Sequence, residues 1–574
     1  MQIAERKFSP TTAHALVKAG ISPLLARVFA SRGIRKADDI SGPLSDLIPY
    51  QQLKGCTELA TMLADAILEN KRFLVVADYD ADGATACTVA VRGLRAYGAN
   101  VGFLIPQRLQ HGYGLTSPIV KLAAEQAERP DFIITVDNGI ASHKGIMDAN
   151  LLGIAVLVTD HHLPVADLPP PDARAIVNPN QVGCKFPSKS LAGVGVIWYV
   201  MWALQEEMSR RGIEPLQDDY DVTSLLPIVA IGTVADVVAL DRNNRILVNA
   251  GLDRIHRGDS FPGVDALATS AKRNPRELTT GDIAFGVGPR INAAGRLQTM
   301  DAGVECLTTE SVARAQALAS QLNELNEERK SIERTVVEQA VDKLAEELVL
   351  ADCYSVILHR DEWHEGVIGI AAGRMKERTW RPVFIMTTNH EGKLKGSGRS
   401  IPGFHLRDAL DVVYKGNPDM FIGFGGHAMA AGVTLKPGYF EEFQKSFEEV
   451  AKNMLTPADL NQVMETDGAL DVDEMNLDTV ADFKLHPWGQ MFPAPTFSDE
   501  FRVLEYRKLG DKGQHLRMTV EKGGKKFIAM KFRHDPEEEV PPRIRAVFKL
   551  DANSFKNETN LQLLLDYFEP VTVV

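Results

Sequence analysis

"VVADYDADGATA", residues 75–86, places Asp78, Asp80 and Asp82 two positions apart directly behind an apolar run. If the run is a β-strand, it ends near Asp78, and the three carboxylates crowd the turn where the backbone leaves the sheet. Like charges that close repel, and water alone compensates poorly. The usual occupant of such a cluster is a hard cation, or a polyphosphate bridged by one.

The surrounding sequence supplies the rest of a sheet. "FLVVAD", "DFIITVD", "GIAVLVTD" and "ARAIVNPN" alternate with helical segments, which predicts parallel strands buried on both faces. The first three runs end in Asp78, Asp137 and Asp160. Ligands of open α/β sheets bind beyond the carboxyl ends of the strands, so these acids converge on one crevice. "VTDHHLP" adds His161 and His162, and "AIGTVADVV" offers Asp236. A lone histidine beside an apolar strand is more often structural than a ligand. Several aspartates with one or two imidazoles, however, form a mostly oxygen donor set that suits Mn²⁺ or Mg²⁺ better than structural zinc. With carboxylates enough for two ions bridged by a shared Asp, the set fits two-metal phosphoester hydrolysis, one ion activating water while both screen the phosphate.

The chain has 574 residues, too many for one ordinary core, so two to four domains are expected. Hydrophobic residues make up 45% and charged residues 24%, an ordinary globular balance. No apolar stretch approaches the ~20 residues of a membrane span, and "MQIAERKFSP" lacks the apolar core of a secretory signal, so a cytoplasmic protein without membrane contact is expected. The five cysteines have no CxxC spacing and read as core or incidental thiols. A net charge of −13 argues against a protein coated in nucleic acid, though not against a local basic groove.

Residues 1–50 read as a helical cap and 51–305 as the sheet-bearing lobe. A polar helix with apolar residues from Leu318 to Leu344 at three- and four-residue steps occupies 306–350, either a strut between two lobes or a bundle helix. Residues 351–455 read as a second α/β lobe. From 456 to 574 the chemistry turns to strands, with "HLRMTVEKGGKKFIAMKF" as a hairpin turning at Gly523 and Gly524, and predicts a small β-barrel.

In order along the chain, "DYDADGATA", "TVDNGIAS", "TDHH" and "GTVADVV" resemble the four motifs of the DHH phosphoesterases, and their wording is most similar to that of the bacterial RecJ exonucleases. The likeness continues through "PQRLQHGYGL", "PRINAAGRL", "WHEGVIGIAAGR", "GSGRS" and "GFGGHAMAAG", and takes in the cap and an OB-type barrel. It implies a single-strand-specific DNA exonuclease running 5′ to 3′ and releasing 5′-mononucleotides, in DNA repair and recombination. A single-strand-binding protein is the implied partner, and a monomer is expected. The family pattern puts Asp82, Asp137, His161 and Asp236 on one metal, and Asp80 with the shared Asp137 on a second. Asp78 either binds the second ion or holds its water. His162 would face the scissile phosphate, and Asp160 would orient an imidazole nitrogen.

Short glycine clusters are weak signals and fit tight turns equally well. They also let backbone N–H groups approach a phosphate, with Ser397, Arg399 and His427 as side-chain donors closing over the substrate strand. Arg108 would grip a phosphate from the first lobe, and Arg290 and Arg296 would line the same wall or form structural ion pairs. In the tail, Arg517, Lys525, Lys526 and Lys531 interleave with aromatics, as in a single-strand groove or on a solvated barrel surface. Alternation is expected to turn Ile528, Met530 and Phe532 to the core and leave Phe527 and Lys531 outside. The rival function is a DHH-type phosphodiesterase for short oligonucleotides or cyclic dinucleotides, which would not need the basic barrel. A noncatalytic binding module would have lost metal ligands, and this sequence keeps them.

Overall fold

A computed structural model describes residues 1–107, 111–165, 168–217, 220–347, 353–555 and 558–571. Arg108 lies outside them. The chain parts into two compact units, Met1–Gln2 with Glu324–Met464, and Ile3–Asn323 with Glu465–Val574. The division falls inside a continuous helix, Val312–Glu347. No helix among the described residues is long and apolar enough to cross a membrane.

The larger unit holds the sheet that the acidic run announces. Strands β1 (Arg72–Ala77), β2 (Asn100–Leu104), β3 (Phe132–Val136), β4 (Ala155–Thr159) and β5 (Ala175–Val177) are parallel, in the order β2-β1-β3-β4-β5. Apart from the half-buried Ile176 in the edge strand, their valines and isoleucines are buried because helices cover both faces. The order reverses direction between β1 and β3, and at such a switch point the connecting chains part and leave a crevice. Asp78, Asp137 and Asp160 are the residues that follow β1, β3 and β4. Each N–H still donates to the last carbonyl of the neighbouring strand: Asp78 to Val136, Asp137 to Thr159 and Asp160 to Val177. The backbone is thus held in the sheet while the carboxylates are delivered beyond it.

The same unit contains a closed barrel of five described strands, β11 (Phe497–Leu509), β12 (His515–Lys522), β13 (Lys525–Phe532), β14 (Arg543–Phe555) and β15 (Glu558–Pro570), in the order β11-β12-β13-β15-β14. Closure removes the unpaired strand edges that invite aggregation. Gly523 and Gly524 both have positive φ, 55° and 79°, the two-residue turn expected between β12 and β13. The barrel begins only at Phe497. Ahead of it, Trp488 and Phe492 stack on each other and on Phe29 of the Pro23–Ser31 helix, and Arg32 makes a buried ion pair with Asp467 at 2.8 Å. The helical N-terminus therefore packs against the start of the tail.

The smaller unit has its own mixed sheet, in the order β9-β10-β8-β7-β6. Its strands are β6 (Val356–His359), β7 (Val383–Thr388), β8 (Leu394–Arg399), β9 (Phe421–Gly426) and β10 (Ala430–Leu435). β6 and β7 are parallel and flank the helix Ile368–Thr379 in sequence, and the remaining pairings are antiparallel.

Candidate metal centre

Asp80 is the N-cap of the helix Ala81–Ala96, its side chain accepting from the Gly83 N–H at 3.1 Å, and Asp82 lies in the first turn. Acidic residues are favoured there, because the first N–H groups have no partners and the helix dipole is positive. Small residues bring this helix onto the sheet. A Cβ on Gly83 would fall 2.3 Å from the Asp78 carbonyl oxygen. A second helix, Gly193–Arg210, points its N-terminus at the same place: Gly193 and Val194 donate to the two oxygens of Asp82 at 2.6 and 2.8 Å. A Cβ on Gly193 would collide with the Asp137 carboxylate, at 2.7 Å from Oδ1. Gly193 is a site residue that the sequence reading missed, because its role is to leave room.

Asp137 adopts φ 61°, a left-handed conformation that costs a non-glycine residue on the order of 1–3 kcal/mol and clusters at functional sites. Asn138 braces it by donating to the Val76 and Val136 carbonyls at 3.1 and 2.9 Å, which ties β1 to β3. His161 Nε2 lies 3.1 Å from Asp137 Oδ1, 3.6 Å from Asp236 Oδ2 and 4.0 Å from Asp82 Oδ2. Donor atoms of Asp82, His161 and Asp236 lie within 4.8 Å of one another, as do those of Asp78, Asp80 and Asp137, and of Asp137, His161 and His162. Asp137 belongs to two of these groups.

The electrostatics argue for cations. At about 4 Å, two like charges near a protein surface repel by ~4 kcal/mol, more than the ~1 kcal/mol that a hydrogen bond contributes. Burial first, then the neighbouring Asp236 and Asp80, push the Asp82 carboxyl well above the usual range. Burial and the charges of Asp82, Asp80 and Asp78 do the same to Asp137. Asp236 is pushed up to about 7 by burial and Asp80. These groups either hold protons or share dications. Asp137 Oδ1 and Asp236 Oδ2 are buried and accept no hydrogen bond. Oxygens without donors beside an imidazole fit divalent ions such as Mn²⁺ or Mg²⁺.

Asp160 plays a different part. It accepts from the N–H groups of Ile140, His161 and His162 at 2.9, 2.7 and 3.1 Å, and lies 2.8 Å from His162 Nδ1. Its lone pairs are spent, so it orients the imidazole, as expected. Burial opposes the charge on His162, but the Asp160 hydrogen bond and charge outweigh it and raise its pKa to about 9. The Asp160 contact thus favours the charged form of His162. The Tyr113 hydroxyl stands 3.1 Å from His162 Nε2, a neighbour that sequence reasoning did not single out within "PQRLQHGYGL".

Other expected residues divide. Arg290 is buried and spends its guanidinium on the Gly286 and Ser270 carbonyls and Asn323 Oδ1, bracing the π-helical turn Ile283–Val287. These contacts hold the Arg290 side chain in place. Arg296 is half-buried in the last turn of the Gly288–Leu297 helix. In the smaller unit "GSGRS" is no turn. It ends β8, with Gly398 buried under Phe384, where a Cβ would fall 2.5 Å from the ring, and Ser397 and Arg399 share the other face. Arg399 donates to the Ser397 hydroxyl at 3.3 Å. Gly369, in the first turn of the Ile368–Thr379 helix, leaves space there, since its Cβ would fall 2.8 Å from Ser397 Oγ and 3.1 Å from Arg399. His427 is exposed in the β9–β10 connection, and Ala430 of β10 pairs with Arg399.

The barrel reverses the expected facing of β13. Phe527 and Ala529 are buried, and Phe532 is 56% exposed. Lys531 is turned in as well, with its ammonium 3.1 Å from Glu538 and 4.3 Å from the Phe568 ring centre. The register explains this. The two-residue turn pairs Val520 with Phe527, Met518 with Ala529 and Leu516 with Lys531, and directly opposed residues share a face. The clean alternation of β12, with Leu516, Met518 and Val520 buried, therefore dictates the facing of β13. Lys525 pairs with Asp473 at 2.8 Å. Arg517 and Lys526 remain exposed on the outer face, where with Ile528, Met530 and Phe532 they line a groove of about 900 Å³.

A five-stranded parallel sheet that ends in shared carboxylates around a His-His pair defines a DHH-type phosphoesterase centre. The family models agree: residues 72–233 match the DHH family N-terminal domain, 351–453 the DHHA1 domain and 466–567 the RecJ OB domain. The single-stranded-DNA-specific exonuclease RecJ of Salmonella typhimurium is 43% identical over 570 residues, covering 96% of this chain and 97% of that protein. The crystal structure of RecJ in complex with Mn²⁺ from Thermus thermophilus superposes with a TM-score of 0.82 at 29% identity, covering 100% of this chain and 80% of that one. Its Mg²⁺ complex gives 0.77 at 27%, covering 100% and 79%. The chain belongs to the RecJ family of single-stranded-DNA-specific exonucleases.

Proposed function

We propose that this protein hydrolyses single-stranded DNA from its 5′ end and releases 5′-mononucleotides at the crevice beyond β1, β3 and β4. The observation that carries the reading is Asp137, which stands in two groups of converging donors with Oδ1 buried and without a hydrogen bond. Asp82, Asp137, His161 and Asp236 would hold one ion, and Asp78, Asp80 and Asp137 a second. Bound there, two ions would supply water activation and charge screening. The chain does the rest. The Gly193 and Val194 N–H groups fix both oxygens of Asp82. His162, charged and latched by Asp160, donates to a non-bridging phosphate oxygen. The water oxygen bonds to phosphorus as the P–O3′ bond breaks, O3′ takes a proton from solvent and leaves with the terminal nucleotide, and the shortened strand keeps a 5′-phosphate, so it is the next substrate. Ser397, Arg399 and His427 take the terminal phosphate, with Arg399→Ala expected to lower the preference for a 5′-phosphate over a 5′-hydroxyl end.

The outer face of the barrel holds the strand. Arg517 is paired opposite Met530, and Arg507 is paired opposite Arg517 on the next strand. Two arginines face to face repel unless an anion lies between them, and bases stack on apolar surface such as Phe532. The enzyme acts in the cytoplasm as a monomer, in DNA repair and recombination, on strands that a single-strand-binding protein also covers. Digestion of 5′-labelled and 3′-labelled single strands with Mn²⁺, Mg²⁺ or EDTA tests the reading. Label released first as a mononucleotide from the 5′ end, and only with a divalent ion, is expected. Early release from the 3′ end overturns the polarity. Dinucleotide hydrolysis that long strands do not compete would instead make it a short-oligonucleotide phosphodiesterase.

A further inference from the structure

Asp236 is the one proposed metal ligand that does not follow a strand or open a helix; it closes one. The helix Leu226–Ala235 ends there, and the next residue, Val237, is 61% exposed with φ 63°. A β-branched residue in the left-handed region is strained and persists only where its surroundings over-determine it. The determinants lie just downstream. Asn244 Nδ2 donates to the Ala239 carbonyl at 2.9 Å, Arg245 donates to the Leu240 carbonyl at 2.5 Å, and the Leu240 N–H donates to the Gln490 carbonyl at 2.9 Å. Leu240 is buried against Gly489, where a Cβ would fall 2.7 Å from it.

Arg245 joins these contacts. Only 6% exposed, it also donates to the Ile40 and Asp39 carbonyls at 2.7 and 2.5 Å, and its guanidinium lies 4.4 Å from the centre of the Phe492 ring. A planar fork with five donors can serve three carbonyls and a ring at once, which an ammonium cannot. The N-terminal segment, the Asp236 loop and the aromatic stack ahead of the barrel therefore meet on one side chain. We propose that Arg245, seated on Phe492, is a positioning residue for Asp236: it holds Val237–Leu240 in a strained return and so keeps the Asp236 carboxylate in the metal crevice. Released from the clamp, Val237 relaxes out of the left-handed region and turns the carboxylate away.

The inference rests on the two-metal reading, and the test separates the two. Mn²⁺ binding to the metal-free full-length chain is measured by titration calorimetry without DNA, with melting temperature recorded alongside. Arg245→Met is expected to weaken Mn²⁺ binding about tenfold, in the range found for residues that orient metal ligands, and Arg245→Lys, the variant more certain to fold, by less. Val237→Gly accepts φ 63° without strain, and added to either variant it should restore Mn²⁺ binding to within about threefold of wild type. A purely stabilising arginine would lower the melting temperature of both variants, leave Mn²⁺ binding unchanged and gain nothing from Val237→Gly. Mn²⁺ binding by Arg245→Lys within twofold of wild type, or a loss that Val237→Gly does not repair, overturns the positioning role. Failure of wild type itself to bind Mn²⁺, or unaltered binding by Asp137→Asn, would overturn the metal reading instead.

Discussion

The metal crevice and the outer face of the barrel both gather charge, by opposite means. In the crevice five carboxylates, three buried and two half-buried, are forced together against their own repulsion by backbone geometry: strand ends, a helix N-cap, a helix C-terminus and a glycine at a helix start. On the outer face of the barrel the cations stay solvated, and some are already matched, as Lys525 is by Asp473 and Arg502 by Glu521. Buried like charges demand a ligand, whereas exposed cations merely permit one. The difference teaches that a short charged motif at a strand end is strong evidence of chemistry, while a basic, aromatic strand must first be oriented.

The largest expected effect is at the crevice. Asp137→Ala removes the carboxylate shared by both donor groups and should abolish hydrolysis of labelled single strands at saturating Mn²⁺ with the far-UV spectrum unchanged. Activity within a few-fold of wild type would make the crevice no more compelling than the barrel.

The barrel should respond by face. Arg517→Ala with Lys526→Ala removes two exposed cations and should weaken single-strand binding, lowering the slope of log K against log salt by roughly 1.4. Lys531→Ala should leave that slope alone and lower the melting temperature, because its ammonium is seated between Glu538 and Phe568. A salt slope that falls with Lys531→Ala and not with the double variant would reverse the assignment of faces.

Much of this was readable beforehand. The parallel sheet, the acids at three strand ends, the long helix and the glycine hairpin follow from local pattern, because period and turn chemistry act over a few residues. Gly193 escaped notice since its contribution is the absence of a Cβ beside Asp137. The burial of Arg290 was not legible, because sequence does not show it. The facing of β13 was misread because both of its faces carry apolar side chains. The polar–apolar alternation of "HLRMTVEK" was clear, however, and the two-residue turn transmits it. Reading the partner strand first would have placed Phe527 inside.

A smaller effect concerns pH. Asp236 is raised to about 7 in the fold, so the stability it contributes is complete below the ordinary carboxylate range and is lost as pH rises through about 7. His162, raised to about 9, contributes stability that is complete below its ordinary ~6.5 and lost as pH rises through about 9. Both act in one direction. In EDTA the melting temperature should fall between about pH 6 and about pH 9, and saturating Mn²⁺ should flatten the fall by replacing protons. A flat profile in EDTA would show that the carboxylates are not held against their charge.

The most direct test is the number of ions the crevice takes. Mn²⁺ titrated into the metal-free chain should saturate at two per molecule in wild type and at one in the Asp78→Ala, Asp80→Ala double variant, which keeps Asp82, Asp137, His161 and Asp236. A wild type that takes a single ion, or a double variant that still takes two, would contradict a crevice built around a shared Asp137.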